Sequence, residues 1–428
     1  MPLFVPNARL ALYLSFFGLA VSFTSTQFVV DKSFEYNVAR SDALAVFFLQ
    51  QTACFFTAFV LAGFVPSAGH KRILLFSLAL LLIAGGLMPI KLELLNQHEL
   101  NFLIPEVFYF VTGIGFGLIK TIVYSYSRQL ATNQNEHASL LNRLEAWYSL
   151  GALASLAIFG GLSLNPAINL EINYIFVIVV LITLAIAYFV YKTPLADVAQ
   201  SDDLRARYGR AYPLAGTWEL AKLLPYTLVA MFVISLTLFT LTESHFANWL
   251  PLYLKNTAQL SEQMQVQFLL IMLAITALGK LISSYALLVI QPYYMLVALI
   301  LGSLGLTVFF TLLENNAPAA IHVENWTNLP QNLLLLLFVI GFTAPVGPTL
   351  CSTALWHTPA NKQSVMVGLI ILINTLGWVG GGAATTYLSQ QFSPIISLAV
   401  AVVPLTLLLT ITILFITDLR RGGAASAS

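Results

Sequence analysis

Apolar runs of about 20 residues recur along almost the whole chain, and a helix of that length crosses the hydrocarbon core of a bilayer. Only 9% of the 428 residues are charged, against about 25% in soluble domains. That is too little charge to cover a surface that faces water. We therefore predict an all-α membrane protein with twelve transmembrane helices. The predicted spans are 10–31, 42–64, 73–91, 103–127, 144–163, 171–191, 225–254, 262–289, 293–313, 331–357, 364–388 and 392–418.

One long polar connection divides these spans six and six. It runs from Lys192 to Lys222 and carries several aspartates and arginines. We predict two six-helix bundles, residues 1–192 and 225–428, joined by a cytoplasmic linker, residues 193–224. Two related bundles around a central site are the usual architecture of a secondary transporter.

Basic residues predict the orientation, because loops rich in Lys and Arg stay on the cytoplasmic side. Roughly 14 basic residues fall on one side of the predicted spans and 4 on the other, which is decisive by this rule. Both termini and the linker are then cytoplasmic, and an even number of spans agrees with this placement. We expect a multi-pass protein of the bacterial inner membrane that works as a monomer.

Lys120 is the charged residue that most needs a function. It lies inside an uncharged run, Phe108 to Tyr124. A cation at the centre of a spanning helix costs about 2.5–3.5 kcal/mol, so such residues face a partner, a cavity or a ligand. Lys120 either binds an anionic group of a substrate or pairs with Asp31, at the end of the first span. A lysine that snorkels to the helix end is the structural alternative.

Several function classes are excluded by the sequence. The net charge of +1 and the lack of a long basic run argue against nucleic-acid binding. No zincin motif, nucleophile turn or cysteine–histidine metal pattern occurs, so we predict no enzyme, no metal and no cofactor. Cys54 and Cys351 fall in apolar runs as small buried side chains. Glu136 and His137 follow the fourth span, where we expect a surface loop.

Five stretches resemble the major facilitator superfamily, and most of all its branch of fucose:proton symporters and related sugar carriers. They are the glycine-rich run 113–121, the start of span five at 142–152, Gly279-Lys280, the proline-containing run 341–349, and the run 242–253 with its Trp-Leu-Pro-x-Tyr pattern. The resemblance implies two six-helix bundles and ion-coupled alternating access. It also implies a gate or latch role for Lys280, where the branch usually has arginine.

Two departures separate the chain from that branch. The loop between spans two and three, 62–72, keeps its glycine and basic residues but lacks the aspartate of the superfamily pattern. The resemblance would also place a proton-carrying glutamate at position 120, where this chain has lysine. By the same resemblance, Asp31 matches an acidic residue near the outer end of the first helix.

The polar and aromatic residues within the spans give three groups of candidates. Aromatic rings with polar tips suit a wet cavity, although packing is the alternative for each ring alone. The substrate-binding candidates are Lys120, Tyr124, Trp147, Tyr148, Asn374 and Trp378. The proton-coupling candidates are Asp31, Glu243 and His245. The gate or latch candidates are Arg143, Glu145 and Lys280.

These observations predict a secondary active transporter of a small polar solute. Lys120 favours an anionic, carboxylate-bearing solute such as an organic acid, a sugar acid, an amino acid or a carboxylate siderophore. The coupling ion is expected to be a proton, with sodium left open. The alternatives are a proton-coupled symporter of a neutral sugar, which the resemblance favours, and an exporter of drugs or metabolites.

Overall fold

The computed structural model describes residues 7–33, 50–54, 56–57, 69–94, 100–163, 172–195, 227–314, 326–329, 331–359 and 362–425, and these residues form helices and short connections without a strand. The helices are α1 (Ala8–Ser33), α2 (His70–Leu94), α3 (Leu100–Ser127), α4 (Gln134–Ser163), α5 (Ile172–Lys192), α6 (Thr227–Asn256), α7 (Glu262–Ala286), α8 (Pro292–Glu314), α9 (Gln331–Thr343), α10 (Val346–His357), α11 (Gln363–Gln391), α12 (Pro394–Val400) and α13 (Val402–Ala425). A 3-10 turn covers Trp326–Asn328.

The predicted fold class is confirmed. Within the described residues, eight helices are long and apolar enough to cross a membrane, and two shorter apolar stretches lie in α1 and α5. The predicted spans coincide with described helices except for span 42–64, of which only 50–54 and 56–57 are described, both helical. Helix α4 begins at Gln134, well before the predicted residue 144.

The helices carry the surface that lipid requires. Large apolar side chains such as Tyr188, Ile282 and Phe338 are more than half exposed. Many hydroxyls inside the helices donate to the carbonyl one turn earlier, as Ser15 does to Ala11 and Thr183 to Val179. Such bonds satisfy a polar side chain without a partner from another helix, which suits a helix in hydrocarbon.

Packing divides the chain into two compact units. The first comprises Met1–Leu130, Trp147–Leu220 and Thr358–Leu372, and the second Ala131–Ala146, Ala221–His357 and Ile373–Ser428. Helices α4 and α11 therefore each contribute residues to both units. The domain boundaries predicted from the sequence, 1–192, 193–224 and 225–428, remain a prediction, and most of the predicted linker lies outside the described residues.

Each unit has its own apolar core. In the first unit, α2 packs against α3 and α5, around Phe108, Phe159 and Phe176. In the second unit, α6 packs against α13, and α8 against α9 and α13. Its core centres on Trp249 and Phe310.

Prolines act differently in two helices of the second unit. The predicted span 331–357 is interrupted at Ala344 and Pro345, which separate α9 from α10. A proline inside a helix removes one backbone hydrogen bond and clashes with the preceding turn, which explains this break. Helix α6 instead continues through Pro251 to Asn256.

Candidate functional site

Lys120 lies between two aromatic rings of its own helix. Its Nζ is 5.4 Å from the ring centroid of Phe116 and 5.3 Å from that of Tyr124. The three residues are spaced four apart, so they form one stripe along α3. A cation over a ring face gains about 0.5–2 kcal/mol, more as water is excluded. The rings thus offset part of the cost of this charge in a spanning helix.

Helices α1 and α4 add a second layer of rings around this stripe. Phe16 stacks on Tyr124 with centroids 6.0 Å apart, and Tyr148 meets Phe16 edge-on at 6.0 Å. Tyr148 also meets Phe116 edge-on at 6.2 Å. The structure therefore brings three of the predicted substrate residues, Lys120, Tyr124 and Tyr148, into one cluster in the first unit. Tyr124 is buried, whereas Lys120 and Tyr148 keep part of their surface exposed.

Trp147 belongs to a neighbouring stack rather than to this cluster. Its ring lies nearly parallel to that of Tyr13, with centroids 6.1 Å apart and an angle of 8°. Phe17 meets it edge-on at 6.2 Å. These contacts pack the first-unit part of α4 against α1. A substrate-binding role for Trp147 remains a prediction.

Asn374 and Trp378 lie on α11 in the second unit. Both side chains are partly exposed. The Trp378 carbonyl accepts a hydrogen bond of 2.7 Å from the Ser244 hydroxyl of α6. Gly377, which lies between Asn374 and Trp378, allows α11 to approach α6 closely, because a Cβ there would lie 1.9 Å from Thr240 Oγ1. Trp378 is thereby held through its backbone carbonyl.

Both ring nitrogens of His245, one of the predicted coupling residues, have hydrogen-bond partners. It is buried on α6, and its Nδ1 lies 2.8 Å from Thr385 Oγ1 of α11. Its Nε2 lies 3.0 Å from the carbonyl oxygen of Ser397 in α12. Since a carbonyl only accepts, Nε2 must carry a proton. His245 thus links three helices of the second unit.

The Thr385 hydroxyl allows Nδ1 of His245 either to accept or to donate a hydrogen bond. Thr385 Oγ1 is also 2.7 Å from the Gly381 carbonyl. If Thr385 donates to Nδ1, the imidazole is neutral; if it donates to Gly381, Nδ1 must donate to Thr385 and the ring is an imidazolium. Both protonation states keep partners on both nitrogens. The two states differ by one proton on Nδ1 and by the rotation of the Thr385 hydroxyl.

The structure gives the positions of the two carboxylates predicted for coupling in less detail than that of His245. Glu243 lies on α6, partly buried, two residues before His245. Residues two apart point to different sides of a helix, so the two side chains do not share a face. The backbone of Asp31 belongs to α1, but its side chain lies outside the described residues. A contact between Asp31 and Lys120 therefore remains a prediction.

The three residues predicted as a gate or latch lie together. Lys280 Nζ of α7 is 3.6 Å from Glu145 Oε2 of α4, and both side chains are buried. Arg143 Nε donates to the Ser284 hydroxyl at 3.2 Å, and its guanidinium lies 4.8 Å from the Tyr285 ring. The start of α4 is fastened to α7 by these contacts within the second unit. Their role as a gate remains a prediction.

The expectation for His137 is wrong. His137 is fully buried in the first turns of α4, with Nδ1 2.8 Å from the Ser352 hydroxyl of α10. Asn142, one turn before Ala146, donates to Thr349 Oγ1 at 3.0 Å. Glu136, by contrast, caps the helix start by accepting from the Thr132 backbone and hydroxyl. A polar helix start packed against α10 had been taken for a surface loop.

Residues 10–323 match the family model of the Major Facilitator Superfamily. The chain belongs to the major facilitator superfamily. It is accordingly an integral, multi-pass membrane protein and a transporter rather than an enzyme. The resemblance found in the sequence is confirmed.

Solved structures agree on the superfamily fold, while no curated protein matches the chain. The fucose:proton symporter FucP of E. coli is 16% identical, with 95% of this chain and 98% of that chain covered and a TM-score of 0.68. The proton:xylose symporter XylE is 14% identical, with 94% of each chain covered and a TM-score of 0.71. The human organic anion transporter MFSD10 is 13% identical, with 94% and 98% covered and a TM-score of 0.67. At these identities the likeness shows the fold alone.

One polar cluster of this superfamily member was missed in the sequence. The buried carboxylate of Glu314, at the end of α8, accepts hydrogen bonds from the Tyr253 hydroxyl of α6 and from the Asn332 amide of α9. Glu314 ends an apolar run and looks like a loop residue in the sequence. The available signal was on α6, where His245, Trp249 and Tyr253 are four apart and so share one face.

Proposed function

We propose that this transporter moves a small anionic, carboxylate-bearing solute. The observation that carries the proposal is the position of Lys120, a partly exposed lysine in a spanning helix whose ammonium lies between two ring faces. Ring faces stabilise a cation without removing its charge. The ammonium can therefore donate charge-assisted hydrogen bonds to a carboxylate of the solute.

The similar structures support an anion and a sugar about equally. MFSD10 is an organic anion transporter, whereas FucP and XylE carry fucose and xylose with protons. Transport of a neutral sugar by proton symport is therefore the second candidate. The rings of Phe116, Tyr124 and Tyr148 favour it, because flat ring faces also pack against apolar faces of small ring-shaped solutes.

We further propose that transport is coupled to protons, as in the two sugar symporters. His245 supports this, since its hydrogen bonds are satisfied both with and without the extra proton. Asp31 and Glu243 are the carboxylates proposed to take part, with sodium as the alternative ion. Export rather than uptake is the remaining alternative for direction. The proposed location is the bacterial inner membrane, with the protein as a monomer and both termini cytoplasmic.

Substitution of Lys120 separates the anion from the neutral sugar. We expect Lys120→Ala to weaken binding of a matching carboxylate about 10- to 100-fold, since a charge-assisted contact contributes about 1.5–3 kcal/mol. Binding of a neutral analogue of the same size should change little. Thermal shifts of the purified protein, measured with gluconate, lactate, glutamate and citrate beside fucose and xylose, give the comparison.

Two variants control this experiment. Lys120→Arg keeps the positive charge and should retain most of the carboxylate binding. Lys255→Ala removes an exposed lysine at the end of α6 and should change nothing. If the wild type is stabilised only by the sugars, and equally in Lys120→Ala, the solute is not an anion bound by Lys120.

A further inference from the structure

Glu314 is a buried carboxylate whose hydrogen-bond donors, among the residues that the structure describes, are neutral. It is 8% exposed, and within the described residues its oxygens contact the Tyr253 hydroxyl and the Asn332 amide. The other buried carboxylate described here, Glu145, instead has the cation Lys280 beside it. An ionised carboxylate without a cation is costly to bury, and hydrogen bonds to the charged form offset that cost. Glu314 is thus a buried carboxylate whose two described contacts, the Tyr253 hydroxyl and the Asn332 amide, are both neutral donors.

The two donors are not equally free to adapt. The Asn332 amide oxygen accepts a hydrogen bond of 3.1 Å from the Leu333 backbone N–H. This bond fixes the amide so that its NH₂ group faces Glu314. The Tyr253 hydroxyl can donate or accept, because a phenol does both. Tyr253 is therefore the partner that must turn if the carboxyl group gains a proton.

We propose that Glu314 is a proton-binding site, and that its proton controls the hydrogen bonds that join α6, α8 and α9. A proton from water binds Oε1 and converts the carboxylate to a carboxylic acid. The new O–H then donates to the Tyr253 oxygen, and the Tyr253 O–H loses its acceptor. Asn332 continues to donate to Oε2. The link from α6 to α8 is weakened while the link from α9 remains.

Among the described side chains, few groups compete for this proton in the helices packed against α8. His357 of α10 lies beside Tyr293, at the other end of α8 from Glu314. The other titratable side chains described there are Cys351 of α10 and Asp418 of α13, while α9 and α12 carry none. On α6, Lys255 is two residues past Tyr253, hence on another side of the helix, and is exposed. His245 and Glu243 lie two turns or more before Tyr253.

A change at Tyr253 has a route into the rest of the second unit. Tyr253 stacks on Trp249, with ring centroids 4.7 Å apart. The Trp249 indole donates to the Pro394 carbonyl at 2.8 Å, at the start of α12. Helix α12 also holds Ser397, whose carbonyl accepts from His245. If the proposed proton coupling is correct, Glu314 adds a second proton site to it; proton binding itself does not depend on that function.

Infrared difference spectra between about pH 4 and pH 9 test for the proton on Glu314, since ordinary carboxyl groups titrate in this range. We expect a band of a buried protonated carboxyl group in the wild type and its loss in Glu314→Gln. Tyr253→Phe should move the band, because it removes one hydrogen bond, whereas the control Asp418→Asn should leave it in place. An unchanged band in Glu314→Gln would overturn the proposal, as would the absence of a buried carboxyl band in the wild type.

Hydrogen exchange tests the structural consequence without any solute. After correction for the intrinsic rate, the wild type should exchange faster in acid over the last turn of α6. Glu314→Gln, which is neutral at every pH, should show the acid rate throughout, while its thermal unfolding confirms that it is folded. If Glu314→Gln keeps the acid-dependent increase, another group controls the contact. The infrared and hydrogen-exchange results do not depend on whether the protein transports an anion.

Discussion

Some buried side chains in this transporter keep hydrogen-bond partners both before and after they bind a proton. His245 shows this most clearly. Its Nε2 donates to the Ser397 carbonyl. Its Nδ1 contacts the Thr385 hydroxyl, which can donate either to Nδ1 or to the Gly381 carbonyl. A histidine with this arrangement can gain a proton while buried, provided that the Thr385 hydroxyl turns. The function of His245 therefore depends on a threonine that has no charge of its own.

Thr385→Val tests this dependence. Valine keeps the shape but leaves Nδ1 without a partner in the neutral ring and without an acceptor in the charged ring. We expect a loss of about 1–3 kcal/mol of stability, the cost of an unsatisfied buried polar group, seen as a lower thermal unfolding temperature. The matched control is Thr386→Val, because the Thr386 hydroxyl is exposed and donates only to the Gly382 carbonyl. Equal effects of the two variants would contradict the assigned role.

The sequence revealed some of these residues and hid others for a physical reason. Lys120 is visible because a charge inside an apolar run is improbable without a function. Glu314 and His137 are hidden because each stands next to polar residues at a helix end. Their burial arises from contacts with Tyr253 and Ser352, which are distant in the sequence. Local patterns report which residues are unusual, but not which distant residue will cover them.

Helices of the second unit approach one another through glycine. Gly377 and Gly381 of α11 face α6, where an added Cβ would meet the Thr240 side chain and the Leu241 carbonyl. Small residues allow such close packing between membrane helices, which lack a hydrophobic driving force for association. This approach brings Thr385 within reach of His245. The glycines of α11 therefore also position His245, the coupling candidate.

Gly377→Ala measures the value of this approach. The new Cβ would lie 1.9 Å from Thr240 Oγ1, so α11 must move away from α6. We expect a destabilisation of about 1–3 kcal/mol, the usual cost of overpacking, measured by thermal unfolding in detergent. Gly305→Ala is the control, because nothing lies within 4 Å of a Cβ there. A loss of stability in Gly305→Ala of the same size would show that helical glycine itself, not the contact, is responsible.

Hydropathy predicted the helices well where apolar residues dominate and poorly where polar residues are buried. The ends of α6 and α8 agree with the predicted spans within a few residues. The start of α4 does not, because residues 134–143 are polar yet helical. Their hydrogen bonds to α7 and α10 replace the lipid contacts that hydropathy detects.

The whole molecule is a twelve-span transporter of two bundles by its family, and its orientation rests on charge alone. Lys and Arg residues concentrate at one set of helix ends, including Arg128 after α3, whereas Lys255 lies at the end of α6. From the positive-inside rule we predict that the first end lies in the cytoplasm and the second outside. This predicted orientation determines which side of the membrane each proposed process faces. The processes are transport itself, proton binding at Glu314 and the gate at Glu145 and Lys280.

Cysteine labelling in intact cells decides the orientation. Gln129 and Asn256 are exposed at the ends of α3 and α6, and the native Cys54 and Cys351 are buried, so their background labelling should be low. A membrane-impermeant maleimide should label Asn256→Cys in intact cells and Gln129→Cys only after the cells are permeabilised. The unmodified protein is the control. Labelling of Gln129→Cys alone in intact cells would show that the orientation is the opposite of the predicted one. Glu314 would then take its proton from the cytoplasm.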